Sequence, residues 1–331
     1  MAAVSGADRS TGLSRRSVLR WGALAILAPP LLSACGPNDN TAPNGVDQLT
    51  PFYAAALADV ATANAAAKAF PADAPTFQVL AQVRQTHATA LANEIGRAAA
   101  STTAPSMPPA TPDQVGSDES GAIAAMVTAL NHSAASTLVR QVPRYRAGLV
   151  ASICGGCASL AMALNGSPAP TAAQTDQLLA AGTNPPTTAL PANTADALQK
   201  ALAAEHAAFW ICGTANAFLN GTAINAATIA HQVRRDTAER IVSAGGATPQ
   251  QSQAAYSTPQ PIADQSSALA ALAIAEQDAE VAWRAVAENT DDQTLRWAGQ
   301  AGLTGAALWQ TAWRHLAGTT PASIAMPGQP S

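Results

Sequence analysis

The chain is short of aromatic residues and of charge. Phe, Trp and Tyr make up 4% of its 331 residues, Asp, Glu, Lys and Arg 11%, and the formal net charge is −4. No basic stripe runs along any segment, which excludes nucleic acid as a partner. Valine and isoleucine are sparse while alanine is abundant, a bias towards helix and against strand. Neither a Gly-rich phosphate loop nor a nucleophilic triad is visible. Beyond Cys35 no apolar run is long enough to cross a membrane, which takes about 20 residues.

What is present begins at the N-terminus. Arg15-Arg16 precedes a short apolar stretch, Trp21 to Leu32, which ends at Leu32-Ser33-Ala34-Cys35. The stretch is too short to span a bilayer, and Pro29-Pro30 would break a spanning helix. Paired arginines before such a stretch read as a twin-arginine export signal. The last four residues resemble the lipobox of bacterial lipoproteins. That resemblance implies cleavage before Cys35, a diacylglyceryl group on its thiol, and a protein held in the cell membrane at its outer, extracytoplasmic face. The alternative is an ordinary secretory signal with an incidental cysteine. Residues 1–34 are thus expected to be the signal peptide. Residues 35–48, polar and rich in turn formers, are expected to be a lipidated tether.

The remainder reads as two sets of four helices. Thr50–Phe70, Thr76–Ala99, Glu119–Val142 and Arg146–Asn165 form the first set. Thr194–Leu219, Ala226–Ala244, Ser267–Asn289 and Asp291–Ala317 form the second. A Pro-rich linker, 167–192, separates them and has room for a short helix at Thr175–Ala181. Asn193 and Thr194 are candidate caps, Thr290-Asp291-Asp292-Gln293 fits a capping box, and Gly245-Gly246 is a stop signal. The sets look like a repeat. Gln82-Val83-Arg84-Gln85-Thr86 recurs as Gln232-Val233-Arg234-Arg235-Asp236, an offset of about 150 residues. In each set the second and third helices are joined by a long Pro-rich connection, and the other connections are short. One long crossover in a four-helix bundle is the ferritin-like arrangement. The expected fold is therefore all-α: two tandem ferritin-like four-helix bundles, at 49–166 and 193–318, with 319–331 as a disordered tail.

Leu202-Ala203-Ala204-Glu205-His206-Ala207-Ala208, followed by Arg234-Arg235-Asp236 and Tyr256-Ser257-Thr258-Pro259, resembles an actinobacterial ferritin-like domain family of unknown function. The resemblance covers Asn193 to Gly318 and implies a fold but no established activity.

Three helices of the second set offer carboxylates to the bundle axis: Glu205, Glu276, and Asp236 with Glu239 one turn on. Di-metal carboxylate sites in ferritin-like proteins pair such glutamates with two Glu-x-x-His motifs. No Glu-x-x-His occurs here, and His231 is expected off the Asp236 face. Two readings follow. In the first, Arg234, Arg235 or Arg240 replaces the metal in a buried ionic network. In the second, Glu205, Asp236, Glu239 and Glu276, with or without His231, bind iron or another divalent metal. The first set lacks all three inward carboxylates. It is expected to have an apolar core, with His87 and His132 partly exposed. Cys154, Cys157 and Cys212 are either small core residues, a disulfide pair drawn from the three, or metal ligands. Five tryptophans fall in the second set, where Trp309 and Trp313 are expected to fill the core. The favoured function is a non-catalytic, lipid-anchored cell-envelope protein, structural or ligand-binding, with no resident cofactor. The alternative is a metal-binding or redox protein built on the second set.

Overall fold

The computed structural model describes residues 46–98, 115, 118–170, 186–219 and 221–329. The export signal at Arg15-Arg16, the lipidation site at Cys35, most of the tether and the expected helix at Thr175–Ala181 lie outside these residues. Among the described residues the chain is all-helical, with eight α-helices and no β-strand. They are α1 (Thr50–Ala69), α2 (Ala74–Ala98), α3 (Glu119–Ala134), α4 (Arg144–Leu164), α5 (Ala192–Ala215), α6 (Thr222–Ala244), α7 (Gln265–Glu288) and α8 (Gln293–Leu316).

The helix starts follow local chemistry. The Asp118 side chain accepts from the Gly121 amide and caps α3. Asp264 and Ser267 make a reciprocal capping box at α7. Asp292 accepts from the Thr294 and Leu295 amides at α8. Gly246, at φ +81°, ends α6 in the left-handed region. Asn193 and Thr194 do not cap α5, which starts at Ala192 behind Pro191. Both instead donate to the Asn289 carbonyl and tie the start of α5 to the end of α7.

Each set of four closes on itself in the same neighbour order. Helix α1 touches α2 and α3, and α4 touches the same two; α5 touches α6 and α7, and α8 touches the same two. Helix α4 also packs against α7 and α8, so a continuous apolar core joins the sets. Arg146 fixes the start of this arrangement. It is fully buried, with both Nη atoms 2.9 Å from the Asp47 carboxylate and Nε 2.9 Å from Glu94. Asp47 is therefore part of the folded body rather than free tether.

Two expectations are corrected here. Arg144–Leu164 and Glu119–Arg140 do have the length and hydropathy to cross a membrane, although 83% of the α4 window is packed inside the protein. Core helices of soluble proteins read the same way, because both environments select apolar side chains. The tail after residue 318 is also not loose. Its Ile324 amide donates to Ser159 Oγ at 2.8 Å, Ser152 Oγ donates to the Pro327 carbonyl at 2.7 Å, and Pro327 and Gly328 are buried. The adjacent glycines of Cys154-Gly155-Gly156-Cys157 make room for it. A β-carbon on Gly156 would collide with the Ala325 carbonyl, and one on Gly155 would press on Leu303 and Pro327.

Candidate functional site

Glu205 on α5, His231 and Arg234 on α6, and Glu276 and Trp283 on α7 converge inside the second set, all buried. Arg234 is the hub. Its Nε donates to Glu205 Oε1 at 2.8 Å and its Nη2 to Glu276 Oε2 at 2.9 Å. His231 lies between the same two carboxylates: Nδ1 is hydrogen-bonded to Glu205 Oε2 at 2.8 Å, and Nε2 is 3.0 Å from Glu276 Oε1 as an ion-pair contact without hydrogen-bond geometry. Trp283 Nε1 donates to Glu205 Oε1 at 2.7 Å. The fourth helix, α8, contributes space rather than ligands. A β-carbon on Gly302 would run into the Trp283 ring, one on Gly299 would meet the Ala287 amide nitrogen at 2.6 Å, and one on Gly305 would lie 3.3 Å from Arg234 Nη1. The glycines let α7 and α8 approach closely, which locks Trp283 in the rotamer that reaches Glu205.

The charges balance as two cations against two carboxylates. Burial opposes ionisation of Glu205, but Arg234, His231 and the Trp283 N–H outweigh it and hold the carboxyl below its usual range. Burial likewise opposes charge on His231, and the Glu276 carboxylate overrides it, raising the imidazole well above 6.5. Carboxylate oxygens stand beside both ring nitrogens, which favours the same state. His231 Nδ1 lies 2.7 Å from Arg234 Nη2 as well as 2.8 Å from Glu205 Oε2, and one ring nitrogen cannot serve both. With Nδ1 protonated, its hydrogen goes to Glu205, and the guanidinium turns its own to Glu276. Isolated, each of these ions would be prohibitively costly to bury; together they neutralise one another.

The donor set does not fit a di-metal carboxylate centre. A guanidinium stands between the glutamates where a metal would need open lone pairs, and a single imidazole is present. Among the described residues no group of three or more His, Cys, Asp and Glu is arranged to hold a metal ion. Two of the expected ligands are elsewhere. Asp236 is exposed and pairs with Arg235 at 2.8 Å. Glu239 is partly exposed, 3.7 Å from His206. The expectation that α6 turns Asp236 to the bundle axis is wrong by nearly half a turn. Ile229 is 62% exposed, and His231, Arg234, Ala238 and Ile241 face in. Compensated charge therefore outweighs the burial of one isoleucine. Of the three arginines considered, Arg234 enters the cluster; Arg235 pairs with Asp236, and Arg240 donates to Thr237 Oγ1.

The first set holds a counterpart that sequence reasoning missed. Arg84, at the place of Arg234 in the repeat, is fully buried. Its Nε donates to Asp59 Oδ2 at 2.7 Å, and its Nη1 lies 2.9 Å from His87 Nδ1 and 3.0 Å from Cys157 Sγ. His87 Nε2 reaches the Ala325 carbonyl of the tail at 2.7 Å. The expected apolar core with an exposed His87 is thus replaced by a buried polar centre, while His132 is exposed as expected. The recurring Gln-Val-Arg was the signal. The carboxylate sits one turn beyond the position an exact repeat would give, so a fixed offset could not find it. Burial and the Arg84 charge push His87 down to about 3, leaving a neutral ring.

The three cysteines on these helices are free, buried thiols. Burial raises Cys157 to about 11 and Cys154 well above its usual value, so neither is a nucleophile. Cys212 lies in a different apolar cluster from the other two, beside His231. Trp309 and Trp313 stack at 5.3 Å and fill the core of α8 as expected.

The structure thus defines an all-α protein with a buried, charge-balanced Glu–His–Arg–Glu centre. Residues 197–331, which include that centre, match a domain of unknown function, DUF4439. A conserved hypothetical protein from Mycobacterium tuberculosis is similar in structure, with 28% identity over 39% of this chain and 99% of that one, at a TM-score of 0.37. No curated protein matches the chain.

Proposed function

We propose that the chain is a lipid-anchored cell-envelope protein. Its two ferritin-like four-helix bundles serve a non-catalytic role, as a structural or ligand-binding module. The observation that carries the non-catalytic part is the guanidinium of Arg234 between Glu205 and Glu276. It stands between the two carboxylates at the buried centre of the second bundle and offsets their charge without a metal. The tandem reading is supported by the shared neighbour order of the two helix sets and by Arg84 recurring as Arg234. The anchoring reading rests on Arg15-Arg16 and on the lipobox resemblance at Leu32-Ser33-Ala34-Cys35. Diacylation gives two chains, enough for stable attachment. Fractionation of cells producing the native chain and Cys35→Ser tests it. The native protein is expected in the membrane fraction and released by Cys35→Ser; a native protein in the soluble fraction would overturn the anchoring.

A further inference from the structure

The long connection between α6 and α7 is pinned along α5 rather than left free. Gln199 holds it from both ends of its amide, donating to the Thr248 carbonyl at 2.7 Å and accepting from the Gln250 amide at 2.8 Å. His206 Nε2 meets the Gln250 carbonyl at 3.1 Å. Further on, Tyr256 is turned back, its hydroxyl accepting from the Gln253 amide at 2.9 Å. Between this segment, α5 and α6 lies an open groove of about 630 Å³, within the range of small-ligand sites.

The groove has a particular chemistry. Trp210 and Tyr256 stand 6.0 Å apart at 54°, and the Arg235 guanidinium lies over the Phe209 ring at 5.0 Å. Glu239 and Arg235 bring one charge of each sign to its wall, and Asp236 already neutralises Arg235. An anionic ligand would meet the Glu239 carboxylate. A cationic one would meet the Arg235 guanidinium, which already covers the Phe209 ring. A lipid chain would leave the amide and carboxylate wall unpaired. The complement is a neutral, polyhydroxylated ring with apolar C–H faces for Trp210 and Tyr256 and hydroxyls for Glu239 and Arg235. We infer that this groove is a carbohydrate-binding site that takes a neutral sugar unit against Trp210 and Tyr256. It is separate from the buried centre and does not depend on the lipid anchor.

The test is ligand-observed saturation-transfer NMR on the purified protein. The probes are maltotetraose, cellotetraose, mannotetraose and chitotetraose, with choline and inorganic phosphate as charged comparators. At least one oligosaccharide is expected to bind, and Trp210→Ala or Tyr256→Ala to weaken it about tenfold or more, as for truncation of an aromatic anchor. Glu239→Gln, which keeps the fold surface intact, should weaken it as well. Circular dichroism controls for folding, and Tyr256→Ala serves if Trp210→Ala does not fold. The inference is overturned if none of the four sugars binds at about ten millimolar, a concentration that would detect even millimolar affinity. It is equally overturned if sugar binding survives both aromatic substitutions, or if choline or phosphate is the ligand that these substitutions abolish. None of those results would bear on the anchoring at Cys35.

Discussion

Arg84 and Arg234 are the same residue of a repeated motif, and each is the buried hub of a polar centre in its own set of helices. Each reaches across to a carboxylate on the first helix of its set, Asp59 on α1 and Glu205 on α5. Each also touches a histidine three residues away on its own helix, but in opposite directions: His87 follows Arg84 and His231 precedes Arg234. The hub is retained while its partners have changed places.

Removal of a hub should be costly in proportion to what it leaves unpaired. Arg234→Met strands two fully buried carboxylates and is expected to cost about 3–5 kcal/mol in urea denaturation. Arg84→Met is expected to cost less, because Asp59 is 15% exposed and keeps some access to water. Equal losses at the two positions would show that the centres are not weighted by burial.

Stability should depend on pH through two opposing groups of buried residues. Burial pushes Glu280 up to about 8, so the folded protein holds a proton that the unfolded chain releases above about 4.5. Its contribution is complete below that value and is lost as pH rises to about 8. His231, also raised, acts in the same direction above 6.5. His87 acts in the opposite one. The unfolded ring takes a proton below 6.5 while the folded ring stays neutral to about 3, so stability is lost as pH falls through that interval. Glu280→Gln should therefore flatten the decline of unfolding free energy as pH rises from about 4.5 to about 8, and His87→Asn the decline as pH falls from 6.5 to about 3. The reverse pairing would contradict both assignments.

The C-terminal segment should lift when its glycine slot is filled. Gly156→Ala places a methyl against the Ala325 carbonyl and 2.9 Å from His87 Nε2. Hydrogen exchange measured by mass spectrometry over 321–329 is expected to accelerate at Ile324 and Gly328, whose amides bond Ser159 and Glu280. Gly213→Ala, with open space around the site, should leave exchange there unchanged.

The helices were legible as alanine-rich segments and from the Gly245-Gly246 stop, while the caps at Asp118 and Asp264 went unread and α8 is capped by Asp292 rather than by the expected box at Thr290. Glu205 and Glu276 were legible as inward carboxylates because they sit among Leu202, Leu272 and Trp283 on their helices. The facing side of α6 was not. Its inward face sets His231 and Arg234 among Ile224, Ala238 and Ile241, and the carboxylates supplied by α5 and α7 make burial of the two polar residues favourable. Periodicity scores a helix alone, so it selected Asp236 instead. The ordered tail was hidden for the same reason: its partners, Ser152, Ser159, His87 and Glu280, lie far away in sequence.

Arg234 stands between Glu205 and Glu276 where a metal would need their open lone pairs. Elemental analysis of the purified full-length protein, beside Glu205→Ala and Glu276→Ala, tests this most directly. Iron, manganese and zinc are expected well below one equivalent per chain and unchanged by either substitution. One or two equivalents in the native protein, lost in Glu205→Ala or Glu276→Ala, would contradict it.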